Sequence, residues 1–168
     1  MSETDPVEMA RRLFLDDSNT YGCAETVFVV LKAVYDLPES ADSSAAMALN
    51  GGLAYSGGPC GAISGAAMAV GLLAARRISD HREAKQVARR ITARLMDEFG
   101  EAHGSTDCRD LIGLDLRTDA GHRQFIASGI WRDRCMAQIE FVVGRLAPLA
   151  EVAAWERAAR ETGTPAAG

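Results

Sequence analysis

Four cysteines, Cys23, Cys60, Cys108 and Cys135, carry the redox or metal chemistry open to this chain. They contain no C-x-x-C pair, which argues against a zinc ribbon or a thioredoxin-like site. Their local settings are alike. Cys23 follows Tyr21-Gly22, Cys60 follows Gly57-Gly58-Pro59, Cys108 follows Ser105-Thr106-Asp107, and Cys135 lies shortly after Gly129. Each falls in or near a predicted first helical turn, where unpaired N–H groups and the positive dipole end favour a thiolate and lower its pKa. Arg109, Arg132 and Arg134 stand beside two of them in sequence and are expected to act in the same sense. Four thiolates can hold an iron–sulfur cluster or a zinc ion, and thiol pairs can cycle between dithiol and disulfide. The bland alternative is four buried cysteines that never meet, because free cysteine is among the most buried residue types.

The residues around Cys60 add a second signal. Gly61, Gly65 and Ala69 recur one helical turn apart, so a neighbouring backbone can approach that face closely. Tight helix packing explains this spacing. A sharper reading is that Gly61 and Gly65 clear room for a thiol partner or a bound cofactor. No G-K-[S/T] follows the glycines, so a phosphate loop is a poor fit. The histidines are weaker candidates: His81 lies among charges, and His103, five residues before Cys108, reads as a solvated loop residue rather than a ligand. Glu25 is a candidate proton carrier for Cys23, although i and i+2 on a helix do not face each other. Tyr21 and Tyr55 flank the thiol segments in core or lid roles.

The elements that must position these thiols are helical. Thr4-Asp5-Pro6 starts a first helix with Val7, Ala10, Leu13 and Phe14 on one face. Gly22 to Tyr35 reads as a helix buried on more than one side, and Ala45 to Asn50 as a short one ended by Gly51. Gly61 to Ala75 is the central helix. Ser79-Asp80 caps a helix whose stripe runs through Ala84, Val87, Ala88, Ile91, Leu95 and Phe99, with Gly100 as its expected end. Short helices follow at 108–112 and from Thr118-Asp119 towards Ala127. A long helix begins near Asp133, with Met136, Ile139, Val142, Val143 and Leu146 inward. A last piece after Pro148 turns Leu149, Val152 and Trp155 inward. The expected fold is all-α: a compact bundle of about six to eight helices in one domain, residues 1–161, with 162–168 as a disordered tail.

Composition narrows the function classes. The 168 residues are 48% hydrophobic and 24% charged, which excludes a disordered or collagen-like chain. A net charge of −5 argues against nucleic acid or an anionic membrane as the main partner. Ser43 to Ala75 carries no charge, but Gly51-Gly52 and Gly57-Gly58-Pro59 break it, so no membrane span is expected. Met1 to Asp17 lacks the basic and apolar regions of a signal peptide, and the expected location is the cytoplasm. A plain disulfide framework of four cysteines is not expected there.

Taken in order, Tyr21-Gly22-Cys23-Ala24-Glu25, Cys60-Gly61-Ala62-Ile63-Ser64-Gly65-Ala66, Gly104 to Gly113 around Cys108, and Cys135 resemble the C_GCAxxG_C_C family of redox-active proteins. The resemblance spans roughly Tyr21 to Leu146. It implies a small helical protein with four functional cysteines. Some relatives carry haem, but this chain has no C-x-x-C-H for covalent attachment. Three readings follow. The first is an iron–sulfur cluster on all four cysteines, for electron transfer or redox sensing with a redox partner protein. The second, nearly level, is thiol–disulfide cycling without metal, for example between Cys23 and Cys60. The third is a non-enzymatic interaction module, a homodimer built on the small-residue helix.

Overall fold

In a computed structural model, residues 5–161 are described, and all their repeating structure is helical apart from one isolated β-bridge. The helices are α1 (Pro6–Phe14), α2 (Cys23–Val34), α3 (Gly61–Arg77), α4 (His81–His103), α5 (Cys108–Ile112), α6 (Asp119–Ser128), α7 (Met136–Leu146) and α8 (Val152–Arg160). Short 3-10 turns at Ser44–Leu49 and Ala147–Ala150 and a wide π-type turn at Trp131–Cys135 join or extend them. The all-α expectation holds. Among the described residues no helix is long and apolar enough to cross a membrane. The expected disordered tail, 162–168, and Thr4 of the expected first helix start lie outside the described residues.

The centre of the bundle is α2 packed on α3, with α1, α4 and α7 around them. Residues Ala24 to Lys32 of α2 are buried without a break, as expected for a helix covered on several sides. Even the Lys32 ammonium is turned inward, donating to the Glu39 and Asp42 carbonyls at 2.8 and 2.6 Å. Helix α3 approaches α2 through its glycines: a Cβ on Gly65 would sit 2.3 Å from the Ala24 carbonyl oxygen. The space beside Gly65 is therefore filled by the α2 backbone.

Two helix boundaries and the burial of two side chains differ from expectation. Helix α4 does not stop at Gly100 but runs one turn further to a left-handed Gly104 (φ 85°). The extra turn is held by packing, because His103 lies between Phe99 and Phe141 with ring centroids 4.5 and 5.2 Å away. His103 is thus a half-buried helical residue, not a solvated loop one. The last long helical run starts at Ile130 rather than near Asp133. Val152, expected inward, is 62% exposed, while Leu149 and Trp155 are buried.

Candidate functional site

All four cysteines come to one end of the bundle. Cys23 opens α2 and Cys60 caps α3. Cys108 opens α5, and Cys135 closes the π-type turn that leads into α7. Cys60 and Cys108, far apart in sequence, are tied by a short antiparallel clasp pairing Pro59 with Asp107. Its bonds are Cys60 N–H to the Thr106 carbonyl at 2.8 Å and Cys108 N–H to the Gly58 carbonyl at 2.7 Å. Cys60 N–H and Cys108 N–H are both used in this way, so neither points at a ligand.

The thiols lie within electrostatic reach of one another. Charge on Cys23 is felt at Cys60, Cys108 and Cys135, and Cys135 also feels Cys60 and Cys108. All four are free thiols; Cys60, Cys108 and Cys135 are buried and Cys23 is partly exposed. Cys23, Cys108 and Cys135 line a chamber of about 290 Å³. Cys60 sits behind it, its thiol donating to Gln138 Oε1 of α7 at 3.5 Å. A Cβ on Gly61 would come within 2.5 Å of Cys23 Sγ, so the missing side chain at Gly61 makes room for that sulfur. Gly65 faces backbone instead and touches no thiol.

The acidities run opposite to the helix-dipole expectation. Burial pushes all four thiols up, Cys108 to about 12. The loss of hydration of a thiolate outweighs the dipole of a helix start. Cys135 gains little from any dipole, because it lies beyond the first turn of its helical run. The arginines contribute nothing either: Arg109 binds the Ser56 carbonyl and Asp115, Arg134 binds the Leu111 carbonyl, and Arg132 stacks on Trp131. Backbone amides oppose the trend at two thiols only. The N–H groups of Gly51, Ala24, Cys23 and Gly61 favour a Cys23 thiolate, and those of Ala62 and Ile63 a Cys60 thiolate.

A buried polar network anchors this end. The Glu25 carboxylate accepts from Gly22 N–H, the Ser43 hydroxyl and Asn50 Nδ2, each at 2.9 Å. Asn50 turns its Oδ1 to the Ala24 N–H at 3.0 Å and towards the Cys23 thiol at 3.9 Å. Both contacts orient the amide the same way. Glu25 therefore reaches the thiol only through Asn50. Asn50 in turn precedes a left-handed turn: Gly51, Gly52, Leu53, Ala54 and Tyr55 all have φ between 49 and 71°. Three of these are not glycine and are costly there. Their carbonyl partners from Ala48 to Asn50 hold them in place.

Aromatic side chains close the chamber. Phe14 and Trp131 meet edge-to-face at 5.6 Å, and Tyr55 meets His122 of α6 at 5.4 Å. Helix α6 buries none of its residues and forms the outer wall through His122, Phe125 and Ile126. Sequence reasoning missed Asn50, Gln138, Phe14 and Trp131. Two carried a signal: Asn50 is a polar residue directly before a glycine pair, and Gln138 interrupts the apolar stripe of α7.

The sequence profile described as "Putative redox-active protein (C_GCAxxG_C_C)" matches residues 21–148. The chain belongs to this family. The matched span covers all four cysteines and the helices that carry them, and leaves α8 outside. No curated protein and no solved structure matches the chain. For a C_GCAxxG_C_C protein the metal question is direct. Among the described residues, no three histidine, cysteine, aspartate or glutamate side chains gather closely enough to hold one metal ion. A single zinc or iron ion therefore does not fit the thiols as they stand.

Proposed function

We propose that this C_GCAxxG_C_C protein is a thiol–disulfide redox protein in which Cys23 is the entering thiol. The observation that supports it is the gathering of four free thiols at one end, three of them on one chamber. Cys23 is the one partly exposed cysteine of the four, and neighbouring backbone amides offset part of the burial that holds its thiol protonated. Attack by that thiolate on an oxidised acceptor gives a mixed linkage, which a second cysteine displaces to leave a protein disulfide. Two thiols are oxidised, the acceptor takes up two electrons, and the protons leave with the reduced product. Free thiols of this kind suit a reducing compartment such as the cytoplasm.

An iron–sulfur cluster is the second reading. It is favoured by four thiols with no free carboxylate competing beside them, since Glu25 is held by three donors. A bound cluster would supply one-electron transfer. Cys23, Cys60, Cys108 and Cys135 would hold it, with the amides at Cys23 offsetting its charge.

Anaerobic purification followed by iron and acid-labile sulfide analysis separates the two. The thiol reading expects a colourless protein that titrates as a two-electron couple in a dithiol redox buffer, and loss of that titration in Cys23→Ser. A brown protein with stoichiometric iron and sulfide refutes it. So does a Cys23→Ser variant with an unchanged titration.

A further inference from the structure

The lining of the chamber bears on what could enter it. Cys108 and Cys135 are 8% and 7% exposed, and Cys60 is 3% exposed. A small molecule inside the chamber can lie against Cys23 and the two sulfurs set behind it at once. The chamber, about 290 Å³, is of a size for a ligand of modest bulk. Among the described residues its lining contains no lysine or arginine. The one carboxylate, Glu25, has its oxygens taken by three donors and so demands no cation. A charged peptide disulfide would lose its hydration there without gaining a partner. Phe14, Phe125, Ile126 and Trp131 instead offer apolar and aromatic surface directly beside the thiols.

We propose that the chamber admits a small, neutral, aryl-sized organic disulfide as the oxidant of Cys23. This inference rests on the thiol–disulfide reading and names its substrate class. The Cys23 thiolate attacks one sulfur of R–S–S–R, the S–S bond breaks, and one R–S⁻ leaves and is protonated. The mixed disulfide keeps its R group against the aromatic wall. A second thiolate, from Cys108 or Cys135 on the same chamber, then attacks Cys23 Sγ and expels the second R–S⁻. One organic disulfide and two protein thiols become two organic thiols and one protein disulfide. An external dithiol would return the protein to its starting state.

The test is single-turnover oxidation of the reduced, oxygen-free full chain by two reagents. One is dithiodipyridine, a neutral aryl disulfide; the other is dithiobis(nitrobenzoate), which is dianionic. Each rate is divided by that of free cysteine under the same conditions. Salt of about 1 M shortens electrostatic range to ~3 Å and removes the effect of overall charge. The expected result is a normalised preference for the neutral reagent of at least tenfold, a change in tryptophan emission on adding inert benzyl alcohol that Trp131→Phe removes, and protection of Cys23 by the same alcohol. Ile126→Lys, at an exposed rim position, should move the preference towards the anion severalfold. Equal normalised rates with rapid oxidation of Cys23 would overturn the substrate class and leave the thiol reading standing. Failure of both reagents to oxidise the folded chain, while the urea-unfolded chain reacts at four thiols, would overturn both.

Discussion

Three glycines of α3 turn the approach of α3 to α2 into a graded experiment. A methyl group on Gly71 would meet nothing within 4 Å, one on Gly61 would meet Cys23 Sγ at 2.5 Å, and one on Gly65 would meet the Ala24 carbonyl oxygen at 2.3 Å. Ordinary contact begins at 3.4 Å, so Gly61→Ala demands about 0.9 Å of movement and Gly65→Ala about 1.1 Å. The neighbours differ in kind: at Gly61 the nearest atom ends a side chain, at Gly65 it is backbone. Replacing a helical glycine by alanine gains roughly 0.5–1 kcal/mol where space allows, and Gly71→Ala should gain that much. Gly61 stands at the first helical position, where the gain is small, and its overpacking should leave a net loss of about 1–2 kcal/mol. Gly65→Ala should lose about 2–3 kcal/mol. Urea denaturation gives the stabilities, and melting should shift by roughly 2–4 °C per kcal/mol. Alkylation of Cys23 gives a second readout, expected to change in Gly61→Ala and not in Gly71→Ala. If Gly61→Ala is as stable as Gly71→Ala and its Cys23 reacts normally, the close approach of α3 to the sulfur is refuted.

Asn50→Ala should cost about 1–3 kcal/mol in urea denaturation, because it strips a donor from buried Glu25 and orphans the Ala24 N–H. Asn50→Asp should cost more than Asn50→Ala, because it sets a second carboxylate where Glu25 now finds an amide donor. The folded protein should lose stability as pH rises: Cys108 ionises near 9.0 when unfolded and at about 12 when folded, so stability falls across that window. Cys108→Ala should flatten the fall in melting temperature, and an unchanged slope would count against burial as its cause. His103 has its pKa lowered from 6.5 by desolvation, so the unfolded chain binds its proton first and stability should decline as pH drops below that value. His103→Phe should remove the decline, seen by melting between pH 7 and 5.

Most of the bundle was legible because apolar spacing and caps coincide. The stripe from Ala84 to Phe99, the Asp80 cap and the short helix at 108–112 all stand where the pattern places them. Gly100 misled because a helix tolerates an interior glycine when the next turn packs, as His103 does on Phe99. Val152 misled because α8 lies on the surface and turns only one side inward. The positions of Cys23, Cys60 and Cys108 at helix starts were readable; the place of Cys135 beyond the first turn, and the acidity of all four, were not. Helix position follows from local sequence, whereas desolvation depends on what the rest of the chain lays over the sulfur. The same holds for Asn50, whose partners Glu25 and Ala24 belong to another helix.

The clasp between Pro59 and Asp107 also sets an order of events as the polypeptide leaves the ribosome. Cys23 and Cys60 emerge first, with neither the strand that grips Cys60 nor the residues of α7 that cover it yet made. Until synthesis passes Gln138, the two early sulfurs are as open to stray oxidation as those of any unfolded peptide.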